Sequence, residues 1–90
     1  MSVSIIAKEE IHDLSFPHKD LNNIEKKALL DECEKAMKLG NSYKGKCKIY
    51  FEDSEGIKMV ETTVWFADNE HVVLKGDNRI PLSNIVKIEL

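Results

Sequence analysis

The spacing of hydrophobic positions in this chain changes once, from a period of about 3.6 residues to a period of about 2. Between residues 23 and 39, Leu29, Leu30, Cys33, Ala36 and Met37 fall within about 120° of a helical wheel, while Lys27, Asp31, Glu34 and Lys38 lie opposite. Asn22-Asn23-Ile24-Glu25 ahead of this stretch has the form of a capping box, in which the Asn22 side chain and the Glu25 side chain each satisfy the other's backbone N–H. Gly40-Asn41 behind it offers a left-handed stop. These signals predict a helix over 23–39 with one buried face.

From residue 46 the alternation is that of strands. Cys47, Ile49 and Phe51 point one way and Lys46, Lys48, Tyr50 and Glu52 the other. Asp53-Ser54-Glu55-Gly56 reads as a hairpin connection, with glycine where positive φ is needed. The returning strand, 57–67, is long against a usual length of about 5–6 residues, and its parity changes on the way. Ile57 and Met59 share one face; Val60, Thr62, Val64 and Phe66 share the other, with Trp65 against them. Such a change predicts a bulge or a sharp bend, the device by which one strand serves two sheets. The run Val64-Trp65-Phe66 covers both faces of the strand, and the apolar face of the helix is the expected cover for one of them. Left uncovered, it would be a site for a partner or for self-association.

After a turn at Asp68-Asn69, residues 70–75 read as a third strand with Val72 and Leu74 inward. Gly76-Asp77-Asn78 then turns the chain into a short strand over 79–82, which Pro81 marks as an edge. Residues 83–85 read as one tight turn, and Val86, Ile88 and Leu90 alternate as a last strand. The first twenty residues are two-sided. Val3, Ile6, Ala7, Glu10, Ile11 and Leu14 have helical spacing with Ser4 as a cap, whereas Ser2-Val3-Ser4-Ile5 alternates. The β-branched content favours a short strand over 2–7 ending in a charged turn, and Phe16-Pro17 breaks whatever precedes it. The expected organisation is one domain: an N-terminal arm over 1–20, the helix over 23–39 and β-structure over 46–90.

Composition narrows the function classes. Ninety residues, 42% hydrophobic and 32% charged, suit one small globular domain with a thin core. The net charge of −3 is spread evenly along the chain, so a strongly basic nucleic-acid-binding domain is excluded and only a local basic patch stays open. No apolar run approaches the ~20 residues of a membrane helix. Ile5-Ile6-Ala7, followed at once by Lys8-Glu9-Glu10, is too short for a secretory signal. With only two cysteines, Cys33 and Cys47, the expected compartment is the reducing cytoplasm, without a membrane and without a disulfide framework.

The order of helix, two long strands, three short ones and a single turn before the last resembles the Sm-like and SH3-like small barrels. Val73-Leu74-Lys75-Gly76-Asp77-Asn78 is similar to the basic-Gly-Asp/Asn loop of the second Sm motif. The chain departs from that family in lacking the first motif's Asp-hydrophobic-x-Asn signature. It also places a further strand and turn after the basic-Gly loop, so only Lys75, Gly76 and Asn78 match. The resemblance implies one amphipathic helix followed by a strongly bent five-stranded antiparallel barrel, an α+β fold. Thr62-Thr63-Val64-Trp65, Val73-Leu74-Lys75, Ile80-Pro81 and the stretch 85–88 resemble a group of short uncharacterised proteins from Bacteroidetes-type bacteria, a likeness that implies no activity. The Ile-Pro-Leu-x-x-Ile pattern ending at Ile85 is also similar to pleckstrin-like bacterial modules, whose closing C-terminal helix has no counterpart through Leu90.

Catalytic and metal chemistry finds little to work with. His12, His18 and His71 have no pre-organising spacing with each other or with the cysteines, and Cys33 and Cys47 sit on apolar faces as small hydrophobes. Ser54 and Ser83 are turn residues without a nucleophile elbow, and Ser15 precedes Phe-Pro. Asp53 and Glu55 belong to a hairpin tip, and Gly76 to no phosphate-binding repeat. The expectation is a non-enzymatic module without metal or cofactor.

The most suggestive stretch is Tyr43-Lys44-Gly45-Lys46-Cys47-Lys48-Ile49-Tyr50. Lys46, Lys48 and Tyr50 project from one strand face, where cations with an interleaved aromatic ring suit phosphates and a stacked base. Lys58 extends that patch, while Glu52 and Glu61 oppose it. The same lysines would equally protect a sheet edge from aggregation, the simpler reading. Lys75 and Arg79, flanking the Gly76 turn, make a second small basic site. The sequence therefore points to an intracellular binding module for a protein partner or single-stranded nucleic acid, with Lys46, Lys48, Tyr50, Lys75 and Arg79 as the contacts. Two alternatives differ in class: a pleckstrin-like lipid- or ligand-binding module using an extra strand from 2–7, and a structural homodimer formed by edge-strand pairing.

Overall fold

The computed structural model describes residues 3–17, 19–43 and 46–90. The fold is α+β. In chain order it comprises β1 (Ser4–Ile5), a 3-10 helix (Lys8–Asp13), α1 (Asn23–Tyr43), β2 (Cys47–Asp53), β3 (Gly56–Thr62), β4 (Val64–Ala67), β5 (His71–Leu74), β6 (Asn78–Pro81), a second 3-10 turn (Leu82–Asn84) and β7 (Ile85–Glu89). One sheet has four strands in the order β1-β3-β2-β7, the other three in the order β4-β5-β6. The first sheet is mixed, because β1 runs parallel to β3 while β2 is antiparallel to both of its neighbours. Among the described residues no ladder joins the two sheets, so the barrel expected from the strand order is not closed.

The long returning strand divides at Thr63, leaving the four-stranded sheet as β3 and entering the three-stranded sheet as β4. The break falls later than the parity change at Met59-Val60 suggested: β3 pairs with β2 without interruption through both residues, which are buried on opposite faces of a regular strand. Between the sheets lie Ile49, Phe51, Val60, Val72, Leu74, Ile80 and Leu82. Helix α1 adds Cys33 and Ala36 to this core, with Leu29, Leu30 and Met37 half-buried around them, and packs against β4, β7 and the second 3-10 turn. Its N-terminus carries the expected capping box: the Glu25 N–H donates to Asn22 Oδ1 at 2.8 Å, and the Asn22 N–H reaches Glu25 Oε1 at 3.5 Å. The helix passes the stop expected at Gly40-Asn41 and ends at Tyr43. A glycine inside a helix costs only about 1 kcal/mol, and so permits an end without imposing one.

The arm is neither a full strand nor a helix. The strand expected over 2–7 shrinks to Ser4–Ile5, Ser2 lying outside the described residues, and is prolonged by the Ile6 N–H donating to the Met59 carbonyl at 3.0 Å. The residues at helical spacing serve a 3-10 helix packed against β6 and β3. Within it Ile11 is only 1% exposed, and Leu14 and Phe16 follow it onto the core. Phe16 meets Phe51 with ring centroids 5.8 Å apart. Two further ties hold the arm across the end of β2. The Ser54 N–H donates to the Ser15 carbonyl at 2.8 Å, and the buried Asn84 gives its Nδ2 hydrogens to the carbonyls of Pro17 (3.1 Å) and Glu52 (3.0 Å).

The last strand corrects the expected alternation. Tyr50 pairs with Lys87 but Phe51 with Ile85, which leaves Val86 as an extra residue. This bulge puts Ile85 and Ile88 in the core and leaves Val86 and Leu90 exposed.

Candidate functional site

The five contact residues expected from the sequence separate onto two faces. Lys46, Lys48 and Tyr50 belong to the outer face of the four-stranded sheet, and Lys75 and Arg79 to the hairpin joining β5 and β6. On the first face Lys48 stands between two carboxylates, opposite Glu61 on β3 and Glu89 on β7. Opposite charges directly across an antiparallel ladder stabilise it. Lys46, Lys48, Glu61 and Glu89 line one small cleft of about 130 Å³. Tyr50 is half-buried, and the Lys87 ammonium lies 4.7 Å from its ring centroid while also pairing with Glu89 at 2.9 Å. That pairing holds the Lys87 ammonium above its ordinary pKa and the Glu89 carboxyl below its own. The ring face that could stack a base is thus already occupied, and the lysines meet carboxylates. Lys58 does not extend this patch, because it points to the other side of the sheet and pairs with Asp53. Tyr43 and Lys44 add no described side chain to the picture.

The second face is built differently. A tight hairpin positions Lys75 and Arg79: Gly76 (φ 84°) and Asp77 (φ 62°) both take the left-handed conformation. The Asp77 N–H closes onto the Leu74 carbonyl at 3.0 Å, and Asn78 Nδ2 donates to the Lys75 carbonyl at 3.1 Å. Arg79 is exposed, and its guanidinium lies 3.5 Å from the Asp77 carboxylate. In register it stands opposite Val73, which stands opposite Phe66. Residues directly opposite one another share a face, so Phe66, Val73 and Arg79 form one row across the outer surface of the three-stranded sheet.

A second bulge falls next to that row, at Trp65. Val64 pairs with Leu74 and Phe66 with Val73, so Trp65 is the extra residue on β4. A bulge interrupts the strict inward–outward alternation. Val64 is buried, Trp65 and Phe66 are each 54% exposed, and Ala67 turns back to the core. The expected helix cover is therefore present for Val64 and absent for Trp65 and Phe66. Helix α1 packs against β4, where Val64 is buried, and Phe66 lies on the outer side in the row with Val73 and Arg79. The signal was present as three successive large apolar residues, which a regular strand cannot all bury on one side. Its position within β4, one bulge after the break at Thr63, was not.

The remaining groups are occupied structurally. Burial pushes the Cys33 thiol up to about 12 and the Cys47 thiol up to about 11, so both are protonated, poorly nucleophilic core residues. Among the described residues His, Cys, Asp and Glu nowhere gather in groups of three that could hold a metal ion; His18 lies outside them. Asp53 is buried and caps its hairpin. Oδ1 accepts from the N–H groups of Glu55 (2.8 Å) and Gly56 (3.1 Å), and Oδ2 from the Lys58 ammonium. Burial alone would raise its pKa; the Lys58 and backbone hydrogen bonds outweigh that and hold it below the usual carboxylate range. Asp68 does the same for the β4–β5 turn, accepting from the N–H groups of Glu70 and His71. A shallow cleft of about 340 Å³ runs between the first turns of α1 and this turn, lined by Asn23, Lys26, Lys27, Leu30 and Asn69. No described helix is long and apolar enough to cross a membrane.

No protein-family model, curated protein or solved structure matches the chain.

Proposed function

We propose that this chain is a non-enzymatic binding module, an Sm-like or SH3-like barrel left open between its two sheets, that takes its partner on the outer face of β4-β5-β6. Support for the barrel comes from the bent strand shared by both sheets and the 3-10 turn before β7. The observation that carries the function is the bulge at Trp65. It leaves Trp65 and Phe66 each half-exposed, with Phe66 in one row with Arg79 across Val73, and aromatic rings and arginine are the residue types that dominate binding energy at interfaces.

The alternatives fit less well. Edge pairing into a homodimer meets an obstacle at each sheet edge: β1 is two residues long, β4 and β7 are bulged, and β6 ends in Pro81. These are devices that prevent strand addition. A pleckstrin-like ligand site has its extra strand in β1, but the clefts of the described residues are open and lined mainly by lysine, asparagine and carboxylates, unlike apolar ligand pockets. The basic face of Lys46, Lys48 and Tyr50 is charge-balanced within its own sheet.

A photo-crosslinking phenylalanine placed at Phe66 in one variant and at Tyr50 in another tests the assignment in cells expressing the chain. A discrete adduct from position 66, and none from position 50, is expected. Adducts from position 50 alone, or from neither, would sink the proposal.

A further inference from the structure

We infer that the N-terminal arm, residues 3–17, is a strap that opens as one unit while α1 and the two sheets stay folded, with Asn84 as its latch.

The arm is tied down by polar contacts more than by burial. Both residues of β1 are exposed, so its pairing with β3 rests on the backbone. Of the arm's side chains only Ile11 is fully buried, while Ile6, Leu14 and Phe16 are half-buried at the margin of the core. The other fully buried hydrophobic residues come from α1, the strands β2 to β7 and the second 3-10 turn. Segments with few buried apolar contacts are the ones that open locally while the rest of a domain stays native.

The polar ties converge on Asn84. It lies on the second 3-10 turn, is 2% exposed, and its Nδ2 joins the Pro17 carbonyl (3.1 Å) to the Glu52 carbonyl (3.0 Å). The Ser54 N–H, donated to the Ser15 carbonyl at 2.8 Å, is the neighbouring tie. Removing the Asn84 amide takes a donor from each carbonyl and frees the end of the arm that leads into α1.

Closure of the strap also bears on the sheets. The bulges of β4 and β7 and the proline of β6 are built into their own strands. Strand β3 has neither: it is regular throughout its pairing with β2 and carries no proline. Its edge is guarded from outside, by β1 and by the Ile6 N–H donated to the Met59 carbonyl at 3.0 Å. Opening the strap bares a regular edge of the kind that accepts an added strand, so the arm regulates access to β3.

Amide hydrogen exchange of the full chain, followed residue by residue by NMR, tests the strap. The Ile6, Glu10 and Leu14 amides, all hydrogen-bonded in the closed arm, should exchange as one class. That class should be at least about tenfold faster than the slowest amides of β2 and β5, with a weaker dependence on urea. The Ser54 N–H belongs to the β2–β3 hairpin but is bonded to the arm, so it should exchange with the arm. Two substitutions then separate strap from core. Asn84→Ala should speed the arm amides roughly tenfold or more. Cys33→Ala, on α1 and outside the arm's packing against β3 and β6, removes a buried thiol. It should speed the slowest amides and leave the arm amides unchanged. Arm amides that exchange with the slowest class, or that accelerate alongside it in Cys33→Ala, would make the arm part of the cooperative core and overturn the strap. Arm amides that open separately but ignore Asn84→Ala would overturn the latch. An Asn84→Ala chain that does not fold would overturn it too, since a latch releases the arm and nothing else.

Discussion

The outer face of the four-stranded sheet and that of the three-stranded sheet both present charge and aromatic surface, yet they dispose of it in opposite ways. On the first, Lys48 lies between Glu61 and Glu89, Lys87 bridges Glu89 and the Tyr50 ring, and at the sheet's end Lys19 pairs with Glu52, while Lys58 pairs with Asp53 on the sheet's other side. On the second, Phe66 and Arg79 share a row across Val73, Trp65 stays half-exposed at the bulge, and Asp77 lies 3.5 Å from the guanidinium. Charge on a strand is thus a poor guide to binding until its cross-strand neighbours are known. What marks a surface for a partner is chemistry that the sheet does not answer from within. If the contrast is real, substitutions on the first sheet should cost stability, and those on the second should cost binding with little loss of stability.

The largest stability effect belongs to Asp53. Asp53→Ala strips the Glu55 and Gly56 N–H groups and the Lys58 ammonium of a buried acceptor. A loss of about 2–3 kcal/mol is expected, visible as a thermal midpoint lowered by roughly 10–20 °C for a domain of this size. The pH dependence has a defined sign. The Asp53 pKa is lowered in the folded state, so its contribution is complete above the unfolded value of about 3.9 and disappears as pH falls through the folded value. The Lys58 pKa is raised, chiefly by its hydrogen bond to Asp53, so its contribution is complete below about 10.4 and is lost as pH rises through the folded value. Thermal melts from neutral pH to pH about 3 should show the wild-type chain losing its advantage over Asp53→Asn below about 4. An advantage that persisted undiminished at the acid end would remove the ion pair from the account.

Next in size is the charge ladder. Lys48→Glu sets three carboxylates in a row across β3, β2 and β7, and like charges directly opposite destabilise by about 0.2–1 kcal/mol. Denaturant titration at low salt should register the loss, and added salt should shrink it. Partner binding should be unchanged. The mirror experiment is Arg79→Glu, for which stability should stay within about 0.5 kcal/mol while binding collapses. Equal effects of the two substitutions on binding would erase the distinction between the faces.

How far the sequence disclosed this depends on the range of the signal. The capping box at Asn22–Glu25, the helix face from Leu29 to Met37 and the hairpin tips at Asp53–Gly56 and Gly76–Asp77 rest on neighbours within a few residues, and these were legible. That the long strand serves two sheets was legible from its length, but the parity change at Met59–Val60 misplaced the break, which falls at Thr63 after a regular β3. Whether Lys48 is free was not, because its partners Glu61 and Glu89 are brought beside it only by the pairing of β2 with β3 and β7. The same holds for Trp65 and Phe66. Three adjacent apolar residues show that a strand is irregular, but which of them turns outward is decided by the register with Val73 and Leu74. Lys75 and Arg79 were singled out from their turn, and their aromatic neighbours come from another strand.

The smallest expected effect tests the bulge that creates the second face. Trp65 is the one residue of β4 without a partner position, since Val64 pairs with Leu74 and Phe66 with Val73. Deleting it should leave both pairings intact, keep Val64 and Ala67 inward and Phe66 outward, and alter stability by no more than about 0.5 kcal/mol, as for a surface change. The strand would then be regular and its edge flatter, and a flat apolar edge invites strand addition. A deletion variant that melts near wild type but gains mass with concentration in light scattering would show that the bulge blocks edge pairing while turning two rings outward. A variant that fails to fold would instead mean that Trp65 supports the core, and the exposed row beside Arg79 would lose its standing as a surface kept for a partner.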